Sequence, residues 1–311
     1  MRKAVVGTYL SRVGVPLYLC SAFCATLCIC SMPPVAAVEM QTILTNMRAA
    51  EENLDSFKCR FTISSHNYSL ALGSKEGFFE PEEAYEYTML VSGDRFRLSG
   101  EMKATKEDKA AGRIPLTVVG NNLSTTQYLP DTNQAAIHPA TTISVFSFET
   151  VLHYNLCMGG GRLTDFVAAQ SPVSDGTEKC GQSECFSIRF QTADSAGSVF
   201  STAKMLVDPN RGWRVVYEEV FDATGNLWGT SEVEFKEWEP EIWFPISGKK
   251  AYFDKAGQVE RECSLSVHEF EKIKGVAEET AFVIDLPAGT LVYDAITGLE
   301  YTTPGKGEVG Q

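Results

Sequence analysis

Two periodicities divide this chain. Between Met40 and Leu54 the apolar residues Met40, Ile43, Leu44, Met47 and Leu54 recur at helical spacing, while Glu39, Arg48, Glu51, Glu52 and Asp55 take the other side. That pattern predicts one amphipathic helix laid over a core. From Phe57 the period falls to two. Phe57, Cys59, Phe61 and Ile63 alternate with Lys58, Arg60, Thr62 and Ser64, which predicts a strand with one dry face and one wet face. The same alternation predicts strands over Tyr85 to Val91 and Arg95 to Gly100, joined at Ser92-Gly93-Asp94. Further strands are expected at Pro115 to Val119 and Ser124 to Leu129, with turns at Gly120-Asn121-Asn122 and Pro130-Asp131-Thr132-Asn133. Lys103 to Arg113 carries no pattern and reads as an exposed loop.

The middle of the chain changes period again. Phe146, Val151, Leu152 and Leu156, then Leu163, Phe166 and Val167, fit short helices, with Ser147 as an N-cap and Gly159-Gly160-Gly161 as a break between them. From Thr177 the strand rhythm returns and continues to about Glu271, ending in Phe282, Ile284 and Leu286 before Pro287-Ala288-Gly289-Thr290. Its turn clusters are Asp208-Pro209-Asn210-Arg211-Gly212, Asp222-Ala223-Thr224-Gly225-Asn226 and Asp254-Lys255-Ala256-Gly257, the punctuation of an antiparallel meander. The expected fold class is therefore mainly β, one large curved antiparallel sheet with an N-terminal helix and short mid-chain helices. The Gly- and Pro-rich residues 303–311 are expected to fray.

Residues 1–37 have the three parts of a secretory signal: Arg2, Lys3 and Arg12, an apolar stretch from Val13 to Met32, and Val35-Ala36-Ala37 for cleavage. An uncleaved membrane anchor is the rival reading, because the stretch approaches the length that spans a bilayer. None of Cys20, Cys24, Cys28 and Cys30 follows a Gly, Ala or Ser, so no acylated N-terminus is expected. The remaining chain, 38–302, is long enough for one large β domain. Removing three basic residues and no acids takes the net charge from −13 to −16. With the signs interspersed, nucleic acid and broad adsorption to anionic headgroups are both excluded as partners.

Five cysteines lie beyond the signal, at Cys59, Cys157, Cys180, Cys185 and Cys263. Cys180 and Cys185 flank a hairpin tip and are the disulfide candidate; an oxidising compartment permits that bridge without requiring it. A zinc site is not expected, since no histidines lie near the paired cysteines. His66, His138, His153 and His268 are scattered, without H-E-x-x-H spacing. No G-x-S-x-G accompanies the glycine triplet, and the Asp-rich turns lack the calcium-loop pattern. The acidic clusters Glu80 to Glu86 and Glu232 to Glu241 are the one route to glycan chemistry, but alternation turns most of them to water. No catalytic residue, metal or cofactor is expected.

Aromatic residues spread over nearly every strand carry the most functional weight. Core filling is the plain explanation. A strongly curved sheet, however, encloses more volume than its own side chains fill, which leaves an apolar cavity. The candidate lining is Phe61, Ile63, Tyr85, Tyr87, Met89, Phe96, Leu98, Tyr128, Ile188, Phe190, Met205 and Tyr217. Such a lining suits acyl chains, since each buried CH₂ contributes about 0.8 kcal/mol.

The order of elements resembles the LolA-like family of outer-membrane lipoprotein-sorting proteins. Several strings carry the resemblance: Phe57-Lys58-Cys59-Arg60-Phe61, Gly93-Asp94-Arg95-Phe96-Arg97-Leu98, Leu206-Val207-Asp208-Pro209, Trp243-Phe244-Pro245 and Leu286-Pro287-Ala288-Gly289-Thr290. The resemblance spans roughly Val38 to Tyr301. It implies an unclosed β half-barrel with helices across its mouth, a hydrophobic interior that carries lipids or lipidated proteins in the cell envelope, and neither catalysis nor metal. It also implies an arginine near the lid, for which Arg60 and Arg97 are the candidates by position. An envelope sensor or scaffold that binds a membrane-protein partner, as LolA-like domains of sigma-E regulators do, is the alternative implied.

Overall fold

The strand rhythm of the sequence becomes a single sheet open at both ends. The computed structural model describes residues 34–70, 77–79, 83–103, 113–121, 123–139, 162–193 and 199–304. The signal up to residue 33, the mid-chain stretch 140–161 with Ser147, the glycine triplet, His153 and Cys157, and residues 305–311 lie outside the described residues. So does most of the Lys103 to Arg113 loop. Helix α1 runs Pro34–Glu52 and strand β1 Ser56–Leu70, followed by β2 Gly77–Phe79, β3 Glu83–Ser92, β4 Arg95–Lys103, β5 Arg113–Gly120, β6 Ser124–Leu129 and β7 Gln134–Pro139. Helix α2 is Leu163–Ala169, and then come β8 Val173–Cys180, β9 Ser183–Ala193, β10 Val199–Asp208, β11 Arg214–Asp222 and β12 Leu227–Glu239. β13 Ile242–Phe253, β14 Val259–Lys272, β15 Leu291–Asp294 and β16 Leu299–Thr302 complete the chain order.

The strands line up as β16-β15-β7-β6-β5-β4-β3-β1-β14-β13-β12-β11-β10-β9-β8, with β2 paired only to β1. β1 is thus the central strand. One meander leaves it through β3, and the other reaches it through β14. All pairs are antiparallel except β15 with β7. The parallel pair follows from the route of the chain. After β14 it crosses behind β3 and β4, where Arg97 Nη1 donates to the carbonyls of Ala281 and Val283 at 3.2 and 3.3 Å. Arg95 lies 5.0 Å from the Phe282 ring centre on the same crossing. Phe282, Ile284 and Leu286, expected as a strand end, belong instead to this crossing segment, whose only regular turn is a 3₁₀ turn at Glu279–Phe282. β7, β15 and β16 had no counterpart in the expected elements.

Partners in register present their side chains to one face. A rung can therefore be followed from Ala136 through Gln127, Val118, Leu98, Met89 and Cys59 to Phe270. A second rung runs from Ile188 through Met205, Glu218, Ser231, Lys250 and Cys263 to Ser65, which shares its face with Cys59. This inner face carries the helices. Met40, Ile43 and Met47 of α1 and Leu163 and Val167 of α2 pack with Ile188, Phe190, Met205 and Val207. A second buried cluster joins Leu54, Phe57, Cys59, Phe61, Met89, Leu98, Phe244 and Leu265 across the centre of the sheet. At the centre of the sheet the outer face is polar: Arg60 meets Glu269 at 2.5 Å and Glu86 at 3.3 Å, and Ser64 meets Ser264. The result is an unclosed β half-barrel with helices over its concave face.

Candidate functional site: an open groove on the inner face

Most of the inner face is filled by its own side chains. Phe61, Tyr87, Met89, Phe96 and Leu98 are buried in the central cluster, with Ile63 and Tyr85 packed half-buried against it. Ile188, Phe190 and Met205 are buried beneath the helices. These ten residues share one face. Tyr128 and Tyr217 do not. Tyr128 aligns with Thr117, Ser99, Thr88 and Arg60, and Tyr217 with Glu232, Lys249, Ser264 and Ser64. Both rungs belong to the outer face. There the Tyr128 hydroxyl reaches Asn133 at 3.5 Å and the Tyr217 hydroxyl donates to Glu219 at 3.1 Å. Desolvation is the main cause that pushes the Tyr217 phenol up to about 12.

Open space on the inner face lies further along the rungs, on the wing made by β6, β7, β15 and β16. A groove of about 260 Å³ is lined by Gln127, Leu129, Gln134, Ala135, Ala136, Leu291, Tyr293 and Glu300. Gln127, Ala136, Tyr293 and Glu300 are in register with one another, as are Gln134 and Leu291. Where the same rung carries Leu98 and Met89 at the centre of the sheet, it carries Ala136 here. The small side chain leaves the space unfilled. Leu129 also packs against the central cluster, so the groove continues the apolar surface rather than standing apart from it. Gln127, Gln134, Tyr293 and Glu300 add polar groups to the lining.

None of these lining residues was among the twelve sequence candidates. The alternation of Gln127, Tyr128 and Leu129 was visible, but aromatic type drew the choice to Tyr128, one position off the inner face. Leu291-Val292-Tyr293 also alternates, with Val292 fully buried between exposed neighbours. That signal was too short to stand alone.

The helices are held to the sheet and to each other by polar contacts. Arg214 Nη2 donates to the Ala50 carbonyl at 2.7 Å, close to the end of α1. The Glu51 carboxyl accepts the Thr164 N–H at 3.2 Å from the first turn of α2, and burial raises its pKa above the ordinary carboxylate value. Arg162 bridges to Glu52 at 2.9 Å and Asp55 at 3.4 Å, and Arg48 to Asp165 at 2.7 Å. The two arginines proposed by position play no part in this: Arg60 and Arg97 are both committed to the outer face. Arg214, from the sheet, and Arg162, beside α2, are the arginines that reach α1.

Cys180 pairs in register with Ser183 and Cys185 with Glu178. The tight turn at residues 181–182 therefore sets the two cysteines on a diagonal, and both carry free thiols. Burial pushes the Cys185 thiol up to about 12. The Asp-rich turns close hairpins. Asp222 accepts the N–H groups of Thr224 and Asn226 at 2.9 Å each, and these bonds, with the Thr224 hydroxyl first, hold its pKa down at about 2. Glu232, Glu234, Glu237, Glu239 and Glu241 are exposed, and no group of three or more His, Cys, Asp or Glu able to hold a metal occurs among the described residues.

An open, largely antiparallel half-barrel with helices on its inner face and a groove of mixed polar and apolar lining in one wing defines the structural class. Comparison with solved structures places the chain within it. It is similar to a LolA superfamily protein from Nitrosomonas europaea, at 15% identity and a TM-score of 0.50 over 79% of this chain and 97% of that one. It is also similar to an outer-membrane lipoprotein-sorting protein domain from Vibrio parahaemolyticus, at 13% identity and a TM-score of 0.49 over 78% of this chain and 94% of that one. No family model and no curated protein matches the chain. At these identities the likeness is one of fold, and the fold is LolA-like.

Proposed function

We propose that this protein binds the acyl chains of lipids or lipidated proteins on the inner face of its half-barrel, in the cell envelope, and performs no catalysis. The groove beside Leu129, Ala136, Leu291 and Tyr293 supports this reading most directly, because it is open, carries apolar side chains in its lining and adjoins the buried centre of the sheet through Leu129. The ten inner-face candidates from Phe61 to Met205 would line the path of a chain pushed deeper than the groove, and α1 with α2 would gate it. Residues 1–37 would direct export, as a cleaved signal or as an anchor. Among the described residues no helix is long and apolar enough to cross a membrane. No cofactor or nucleic acid enters this reading.

The test is lipid retention. Native mass spectrometry after gentle extraction is expected to find bound lipid, or to find lipid gained from vesicles. Ala136→Leu, which fills the groove, is expected to weaken binding of a fluorescent fatty acid by about ten-fold with little change in the urea midpoint. A protein that arrives empty and gains nothing overturns the proposal. The filled central cluster favours a second reading, an envelope sensor or scaffold that binds a membrane-protein partner on the same fold. Recovery of such a partner by an unlipidated protein would support it.

A further inference from the structure

The two outer edges of the sheet are not alike. Edge strand β8 is guarded in the usual ways against added strands. It is bulged between Ser174 and Gly176, and Asp175 and Glu178 are tied to Arg189 and Lys204 at 2.8 Å each. Edge strand β16 has neither a bulge nor a basic residue. All four of its residues are exposed, Leu299 at 61% and Tyr301 at 44%, so the strand buries almost nothing and is held by β15 alone.

The free ladder of β16 can be located. The Thr303 N–H donates to the Thr290 carbonyl at 2.9 Å, toward the β15 side. Since N–H directions alternate along a strand, Leu299 and Tyr301 also point theirs inward, and Glu300 and Thr302 point theirs away from the sheet. Among the described residues no strand receives them. Glu300 is also a wall of the groove. The open backbone edge and the open groove therefore share a residue.

We propose that β16 takes up an extended polypeptide by strand addition, pairing with the protein part of a lipidated protein whose acyl chain lies in the groove. This rests on the acyl-binding reading above and adds to it the edge on which the polypeptide pairs. The segment added would place apolar side chains beside Leu299 and Tyr301 and no acid beside Glu300. Its acyl group would turn over the rim at Glu300 onto Ala136 and Leu129.

Three probes test this: a palmitoylated peptide of alternating valine and threonine, the same peptide without its acyl group, and palmitate. The palmitoylated peptide is expected to bind about ten-fold tighter than palmitate and to slow amide exchange in Leu299–Thr302, which palmitate leaves fast. Thr302→Pro removes an outward N–H without touching the ladder to β15. It is expected to abolish the ten-fold advantage and leave palmitate binding unchanged. Leu299→Lys with Tyr301→Lys, which keeps the backbone intact, is expected to do the same. Equal binding of palmitate and palmitoylated peptide, or an advantage that survives both variants, overturns the inference while acyl binding stands. Binding of neither palmitate nor the palmitoylated peptide overturns both.

Discussion

Phe244 shows how single residues hold this sheet. It is fully buried, with its ring centre 5.1 Å from that of Phe57 and 4.3 Å from that of Phe270. The three rings come from β13, β1 and β14, so one contact cluster ties three neighbouring strands. Phe244→Ala is expected to cost about 3–5 kcal/mol, read as a fall in the urea midpoint at unchanged slope. Glycine works by the opposite device at Gly100. A Cβ there would lie 2.3 Å from the Tyr87 ring, so the absent side chain is what lets Tyr87 lie across the adjacent strand. Ala136 in the groove follows the same logic: a residue too small to fill its place on the rung creates the feature.

At the scale of elements, the docking of α1 and α2 depends on a buried carboxyl. Glu51 is only 6% exposed, and desolvation outweighs the Thr164 hydrogen bond and the charge of Arg214, so its pKa is raised from 4.5. A raised pKa means that the folded state favours the proton. The stability it lends is fully present below about pH 4.5 and is lost as pH rises through the raised value. Glu51→Gln keeps an oxygen to accept the Thr164 N–H and cannot ionise. The urea midpoint of the wild type is therefore expected to fall across that window, and that of the variant to stay flat. Parallel curves would show that Glu51 does not set the slope.

For the whole molecule, the position of β1 governs cooperativity. Phe57 pairs with Val91 on one side and Lys272 on the other, so neither meander completes its sheet without the first strand. All four tryptophans, Trp213, Trp228, Trp238 and Trp243, lie in the meander that ends at β14. Tryptophan fluorescence reports that half, and far-ultraviolet circular dichroism reports all strands. The two unfolding curves in urea are expected to coincide, because β1 couples the halves. Separate midpoints would mean that each meander unfolds by itself.

Local periodicity made much of this visible in the chain. Alternation from Phe57 to Ile63 and across β3 and β4 grouped the side chains of each strand by face, since successive Cβ atoms point to opposite sides. The helical spacing of Met40, Ile43 and Met47 picked out the buried stripe of α1, and the Asp-led turns closed their hairpins. Tertiary structure decided the rest. Tyr128 and Tyr217 fell on the outer face because parity within one strand does not say which face is inner; pairing with distant strands does, and the bulge between Leu206 and Val207 resets it locally. β15 found its place only by crossing behind β3 and β4 to lie parallel to β7. The groove arose there because Ala136 met Tyr293, a neighbour that is remote in sequence. Which residues of a strand share a face is a property of the backbone, whereas the space they leave open depends on partners that folding brings from elsewhere.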